Sequence, residues 1–279
     1  MDARHPAALA RSLLFVPGHQ SDLFHKALSS GTDLVVVDLE DAVPAQDKPV
    51  ARIAAGEWLA QVPGLDRVAV RLNSPAVGAG REDLAWLASL VHRPATLIVP
   101  KAESAHDLAQ VRAVAPDVGL VPLVESAAGH AKLDEMAHAP GVLRLAFGQL
   151  DFMADTGIAA GEDEHELAPM RFAIAMATAR ARLATAIDGV TTDLYNEEQL
   201  ARDVRRAVAF GFGGKLCIHP RQVAGVHAAL APSAELAKWA SHVLAGDRAA
   251  GGKPFRLFGR MVDGPVVLQA RKVLARCIR

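Results

Sequence analysis

The chain has 279 residues, 51% of them hydrophobic and 22% charged, with a formal net charge of −1; this allows one large core and excludes a basic nucleic-acid surface or a like-charged disordered tail. The two cysteines, Cys217 and Cys277, are too far apart to form a redox or metal pair, and no apolar run reaches the roughly eighteen residues of a membrane span. Residues 1–11 are too polar for a secretory signal, so a soluble cytoplasmic protein is the expectation.

Taken in chain order, eight runs of strand length recur at 12–16, 33–39, 67–72, 95–99, 118–124, 142–147, 185–187 and 215–218. Stretches such as 47–61, 105–115 and 164–184 separate them and carry Ala, Leu, Glu and Arg at helical spacing. Continuous apolar strands with little polar alternation indicate a parallel sheet buried on both faces, and eight strand–helix units predict an α/β fold, a (β/α)8 TIM barrel, over residues 1–231. The seventh run is the shortest. The rhythm breaks over 232–279, where a helix at 234–245, a Gly/Asp-rich turn, a segment at 255–263 and a final helix from Pro265 predict a C-terminal helical appendage. At this length it is expected to be too small for a core of its own.

Almost every run ends in polar residues or glycine: Pro17-Gly18, Glu40-Asp41, Arg71 to Asn73, Lys101 and Glu103, Glu125-Ser126, Gly148 to Asp151, Asp188 and His219. In a (β/α)8 barrel these ends share one rim, where the active site is built. Glu125 and Asp151 stand one strand–helix unit apart. Two carboxylates without a histidine or cysteine cluster suit a hard cation such as magnesium, with water positions that a keto or hydroxy acid can fill; the alternative is that each caps the helix that follows. Arg71 faces an anionic substrate or a developing enolate oxygen, or pairs structurally with Glu40 or Glu103. Asp38, Glu40 and Asp41 crowd three acids that need cationic partners such as Arg71 or Lys101. Alternation points Asp38 and Glu40 into the barrel mouth while Asp41 starts the loop, and Glu40 is kept among the catalytic candidates. His219 is either a base or a loop-shaping hydrogen bonder. The glycines of FGFGGK lack the phosphate-loop pattern and read as a turn.

The segments LLFVPG, VVVDLEDAV, VRLNS, IVPKAES, VESAAG, FGQLDFMADTG, AIDGV and GGKLCIHPRQV occur in the order found in the citrate lyase beta subunit family. That family includes malyl-CoA and citramalyl-CoA lyases and belongs with the metal-dependent HpcH/HpaI aldolases. The chain resembles it over residues 11–221 and again at GRMVDGP. The resemblance implies Mg2+ (with Mn2+ able to substitute) held by Glu125 and Asp151, Arg71 on the substrate, and backbone amides just after Asp151, at Phe152, on the keto-acid carboxylate. It implies a coenzyme A or acyl-carrier thioester entering near Phe15, Pro17 and Gly18. It also implies that Asp263 acts as acid/base in a neighbouring subunit's site, within a homotrimer or a multiple of trimers. The implied reaction cleaves a citryl-, malyl- or citramalyl-type 3-hydroxyacyl thioester to acetyl-CoA and a 2-keto acid. The competing readings are an aldolase on free hydroxy-keto acids, a malate synthase or malyl-CoA thioesterase, and a non-catalytic subunit of a citrate lyase complex.

Overall fold

The computed structural model describes residues 5–277. Val, Leu and Ile dominate the strand runs, and their bulk suits a pleated surface covered on both sides. β1 (Ser12–Pro17), β2 (Leu34–Asp38), β3 (Val68–Arg71), β4 (Thr96–Val99), β5 (Gly119–Val124), β6 (Ala146–Phe147), β7 (Ile187–Asp188) and β8 (Gly214–Cys217) close in sequence order into a parallel barrel. Every residue of β2, β4, β5 and β8 is buried. Leu13, Leu34, Val36, Ile98, Val121 and Leu216 are among the side chains that fill the interior, each large one contributing about 1.5–3 kcal/mol by leaving water. This is the (β/α)8 fold expected from the strand–helix alternation.

Two barrel strands are shorter than their apolar runs. Arg144, fully buried, donates through Nε to the Thr185 carbonyl and through Nη1 to those of Ala7 and Ala10. Its guanidinium thus ties the segment before β6 to the segment before β7 and to the short helix Pro6–Leu9. Regular pairing starts only beyond it, with scattered bonds such as Ala184 N to Leu143 O and Ile187 N to Leu145 O filling the gap. The helical stretch predicted over 164–184 begins instead with a 3-10 turn, His165–Leu167, and becomes an α-helix at Ala168–Arg180. Pro169 explains the break: it lacks an N–H and is accommodated in a helix's first turn.

A second compact unit begins at His227, inside the helix Arg221–Leu230, whereas the break in strand–helix rhythm predicts a boundary after residue 231. Its helices Ala234–Ala249 and Gly264–Cys277 flank an antiparallel hairpin of β9 (Phe255–Leu257) and β10 (Arg260–Val262). Phe258 and Gly259 both have positive φ, as a two-residue type I′ turn requires. Ala240, Val243, Val262, Val267, Ala270 and Val273 form a buried cluster. The expectation that this stretch is too small for a core is corrected: Val262 of the hairpin joins the apolar faces of both helices. Among the described residues no helix is long and apolar enough to cross a membrane.

Candidate active site at the C-terminal rim

Strand register brings the rim residues together. Pro17 is level with Asp38, and Asp38 with Arg71. Arg71 donates from Nε to Asp38 Oδ1 at 2.7 Å and from Nη2 to Oδ2 at 2.6 Å, a bidentate pair. The same carboxylate accepts the backbone N–H groups of Glu40 and Ala42, so Asp38 fixes both the arginine and the start of the loop. Arg71 Nη1 lies 2.9 Å from Glu40 Oε2, a charge contact without hydrogen-bond alignment that leaves this buried oxygen a vacant acceptor. The guanidinium stands 4.7 Å over the ring of Phe15. Burial opposes its charge, but Asp38, Glu40 and Asp41 outweigh that and raise its pKa. The partners of Arg71 are thus Asp38 and Glu40; Glu103 instead accepts from Ser126 Oγ.

Glu125 follows β5 and is 2% exposed. It does not cap the next helix, because Ser126 does so by accepting the Gly129 N–H. Its Oε1 accepts the backbone N–H of Lys101 at 2.6 Å. A Cβ at residue 148 would come within 2.3 Å of Glu125 Oε2, so only glycine there leaves room for the carboxylate. Burial, then the charges of Glu40 and Asp151, push Glu125 up to about 8 against the pull of Lys101. Burial likewise pushes Glu40 up to about 7 against Arg71 and Lys101. Asp151 is the third residue of the helix Gln149–Thr156, with its side chain 40% exposed.

Lys101 ties this cluster together as one of the two cations expected to partner the acids at the end of β2. Its φ of +46° is a left-handed conformation that side chains rarely adopt. With the amide aimed at Glu125, Nζ reaches Glu40 Oε1 at 2.6 Å and Asp41 and Asp151 at 3.6 Å. Burial opposes its charge, but the bond to Glu40 and the surrounding acids raise its pKa. Charge balance is the signal in the sequence that points to it, since five rim acids call for a second cation beside Arg71, whereas the left-handed backbone has no such signal.

The remaining predicted residues fall as follows. Gly18 donates its N–H to Asp38 O, and a Cβ there would meet that oxygen at 2.7 Å, so β1 ends pressed against the end of β2. The Phe152 side chain packs edge-on against Phe147, and its N–H is taken by Gly148 O. The expectation for the Phe152 amide is therefore corrected. The N–H groups this helix start leaves without intrahelical partners are those of Gln149, Leu150 and Asp151. His219 Nδ1 accepts the Arg221 N–H, and its own N–H donates to Gln222, the loop-shaping alternative. Asp263 is exposed in the second unit, between β10 and the last helix.

The donor set fits a hard cation. Glu125 and Asp151 offer carboxylate oxygens, a bound cation would offset the burial and like charges that oppose ionisation of Glu125, and two such ligands would leave positions for water and substrate. Among the described residues there is no group of three or more His, Cys, Asp or Glu that could hold a metal. A (β/α)8 barrel with five acids and two cations gathered at its C-terminal rim defines a barrel enzyme with an oxygen-donor site. Residues 11–220 match the HpcH/HpaI aldolase/citrate lyase family, and the chain belongs to it. It is 35% identical to a citrate lyase subunit beta-like protein of Deinococcus radiodurans, covering 97% of this chain and 98% of that one. It is 30% identical to the mitochondrial citramalyl-CoA lyase of Homo sapiens, covering 98% and 86%. Its structure matches that of CitE from Mycobacterium tuberculosis in complex with magnesium, acetoacetate and coenzyme A, with a TM-score of 0.85, 34% identity, and 98% and 100% of the two chains covered.

Proposed function

We propose that this protein is a magnesium-dependent carbon–carbon lyase that cleaves a 3-hydroxyacyl-CoA of the malyl, citramalyl or citryl type to acetyl-CoA and a 2-keto acid. The observation that carries the reading is the placement of Glu125 at the barrel rim, a buried carboxyl beside Glu40 and Asp151, where burial and then those two charges disfavour its ionised form unless a cation is bound. Glu125 and Asp151 would hold the magnesium, which when bound supplies a Lewis acid that acidifies a ligated hydroxyl and polarises a keto oxygen. Arg71, locked by Asp38 and stacked on Phe15, is a fixed positive charge for the thioester enolate released when the carbon–carbon bond breaks. The N–H groups of Gln149, Leu150 and Asp151 receive the keto-acid carboxylate, as helix starts do for anions. Phe15, Pro17 and Gly18 form the side from which the thioester approaches. Asp263, from a neighbouring subunit of a trimer or multiple of trimers, delivers the proton to the enolate carbon. Glu40, with a vacant buried acceptor oxygen, is the rim acid placed to take the substrate hydroxyl proton.

The test is Glu125→Ala, assayed with malyl-, citramalyl- and citryl-CoA and titrated calorimetrically with Mg2+. Loss of both metal binding and cleavage with an unchanged circular dichroism spectrum is the expected result; full retention of both would sink the assignment. Identifying the products separates the rivals, because a thioesterase releases free coenzyme A instead of acetyl-CoA.

A further inference from the structure

Gln149 is the first residue of the helix that carries Asp151, and its side chain does not face solvent. It is 3% exposed and reaches across to the segment after β7, donating from Nε2 to Val190 O at 2.5 Å and accepting the Val190 N–H on Oε1 at 3.1 Å. One primary amide thereby satisfies both backbone groups of a residue 41 positions away, a two-point clamp that fixes distance and rotation together. Gly189 makes the clamp possible, since a Cβ there would lie 1.5 Å from Gln149 Oε1.

The segment it grips is itself rigidly held. Lys215, buried in β8, donates to Gly189 O and lies 3.5 Å from Asp188. Arg171, also buried, donates from Nε to Asp188 Oδ1 at 2.9 Å. Val190 packs its side chain on the barrel core. The ionic group and the core thus fix residues 188–190, and Gln149 transmits that fixed position to the first turn of the helix Gln149–Thr156. Asp151 and the unpaired N–H groups lie in that turn.

We propose that Gln149 is a positioning residue. By clamping Val190 it sets the first helical turn so that the Asp151 carboxylate meets that of Glu125 across one cation. This rests on the magnesium reading above. Buried polar residues that orient a metal ligand typically change affinity about ten- to a hundredfold when removed.

The test titrates Mg2+ calorimetrically into the full-length parent, Gln149→Met and Gly189→Ala, and follows hydrogen–deuterium exchange over residues 148–156. Gln149→Met keeps the length and burial of the side chain but removes both bonds. Gly189→Ala displaces the amide from the opposite side without changing residue 149, and its Cβ also comes within 2.9 Å of Phe147 O. The expected result is Mg2+ binding weakened about tenfold or more in both variants, with faster exchange confined to 148–156 and to 188–190. Should Gly189→Ala fail to fold, Gln149→Ala, which removes the amide without adding a Cβ against Phe147 O, is expected to bind Mg2+ as weakly as Gln149→Met. Parent-like Mg2+ affinity in folded Gln149→Met would overturn the proposal while leaving the magnesium reading intact. Absence of Mg2+ binding by the parent would overturn both.

Discussion

Lys101 does two jobs from one backbone position. Its amide must point at Glu125 while its ammonium reaches Glu40, Asp41 and Asp151, and the left-handed φ of +46° is the geometry that allows both. An L-residue there costs about 1 kcal/mol that glycine escapes. Separating the two jobs is therefore possible by mutation. Lys101→Met keeps the strained backbone and loses the ammonium; Lys101→Gly loses the ammonium and relieves the backbone. In urea unfolding Lys101→Gly is expected to be the more stable of the two by about 1 kcal/mol, while both lose thioester cleavage to the same degree, on the order of a hundredfold. Retained activity in Lys101→Gly would show that only the amide matters.

At the scale of strands and helices, legibility followed burial. Runs such as LVVVD and GLVPLV are apolar because both faces of the sheet are covered, so the pattern alone exposed them. The carboxylates were legible for the converse reason: a strand ends where charged residues must reach solvent or a site. What escaped depends on partners distant in sequence. The late start of β6 and β7 follows from Arg144 bonding to carbonyls of Ala7, Ala10 and Thr185, and no local pattern encodes that. The core of the C-terminal unit needs the hairpin's Val262, and the clamp of Gln149 needs Val190. Lys215 does leave a trace in the sequence, a lysine in an otherwise apolar strand.

The β7–β8 corner yields a prediction in pH. Burial alone would raise the Asp188 carboxyl, but Lys215 and then Arg171 overcome it and hold the group below its ordinary 3.8. A carboxyl depressed in the folded state stabilises above the unfolded value, and that contribution is lost as pH falls through the folded value. Asp188→Asn is therefore expected to cost about 3–5 kcal/mol at pH 7, because it leaves Arg171 and Lys215 buried without their counter-charge. Urea midpoints should show the gap between variant and parent constant from pH 7 to 5 and narrowing below the ordinary carboxyl value. A gap unchanged into the acid range would mean that the ion pairs add nothing and that only packing was lost.

For the whole molecule the decisive residue is Asp263, which belongs to the second compact unit while every other candidate lies in the barrel. The unit has its own buried cluster, so Asp263 stands on a packed scaffold between β10 and the last helix. If it serves a neighbouring subunit, each active site is composed of two chains, and defects in different chains can be sorted apart. Glu125→Gln and Asp263→Asn should each lose nearly all activity as pure proteins. Co-expressed in equal amounts with different tags and purified through both, they should regain about one third of parental activity if the ring is a trimer, since every mixed closed head-to-tail trimer has one site of its three that draws both residues from unaltered positions. A site completed within one chain gives the opposite outcome. Every site in the mixture would then carry one defect, and activity would stay at the level of the pure variants. Sedimentation of the same samples fixes the number of subunits, and a monomeric parent would exclude the shared site outright.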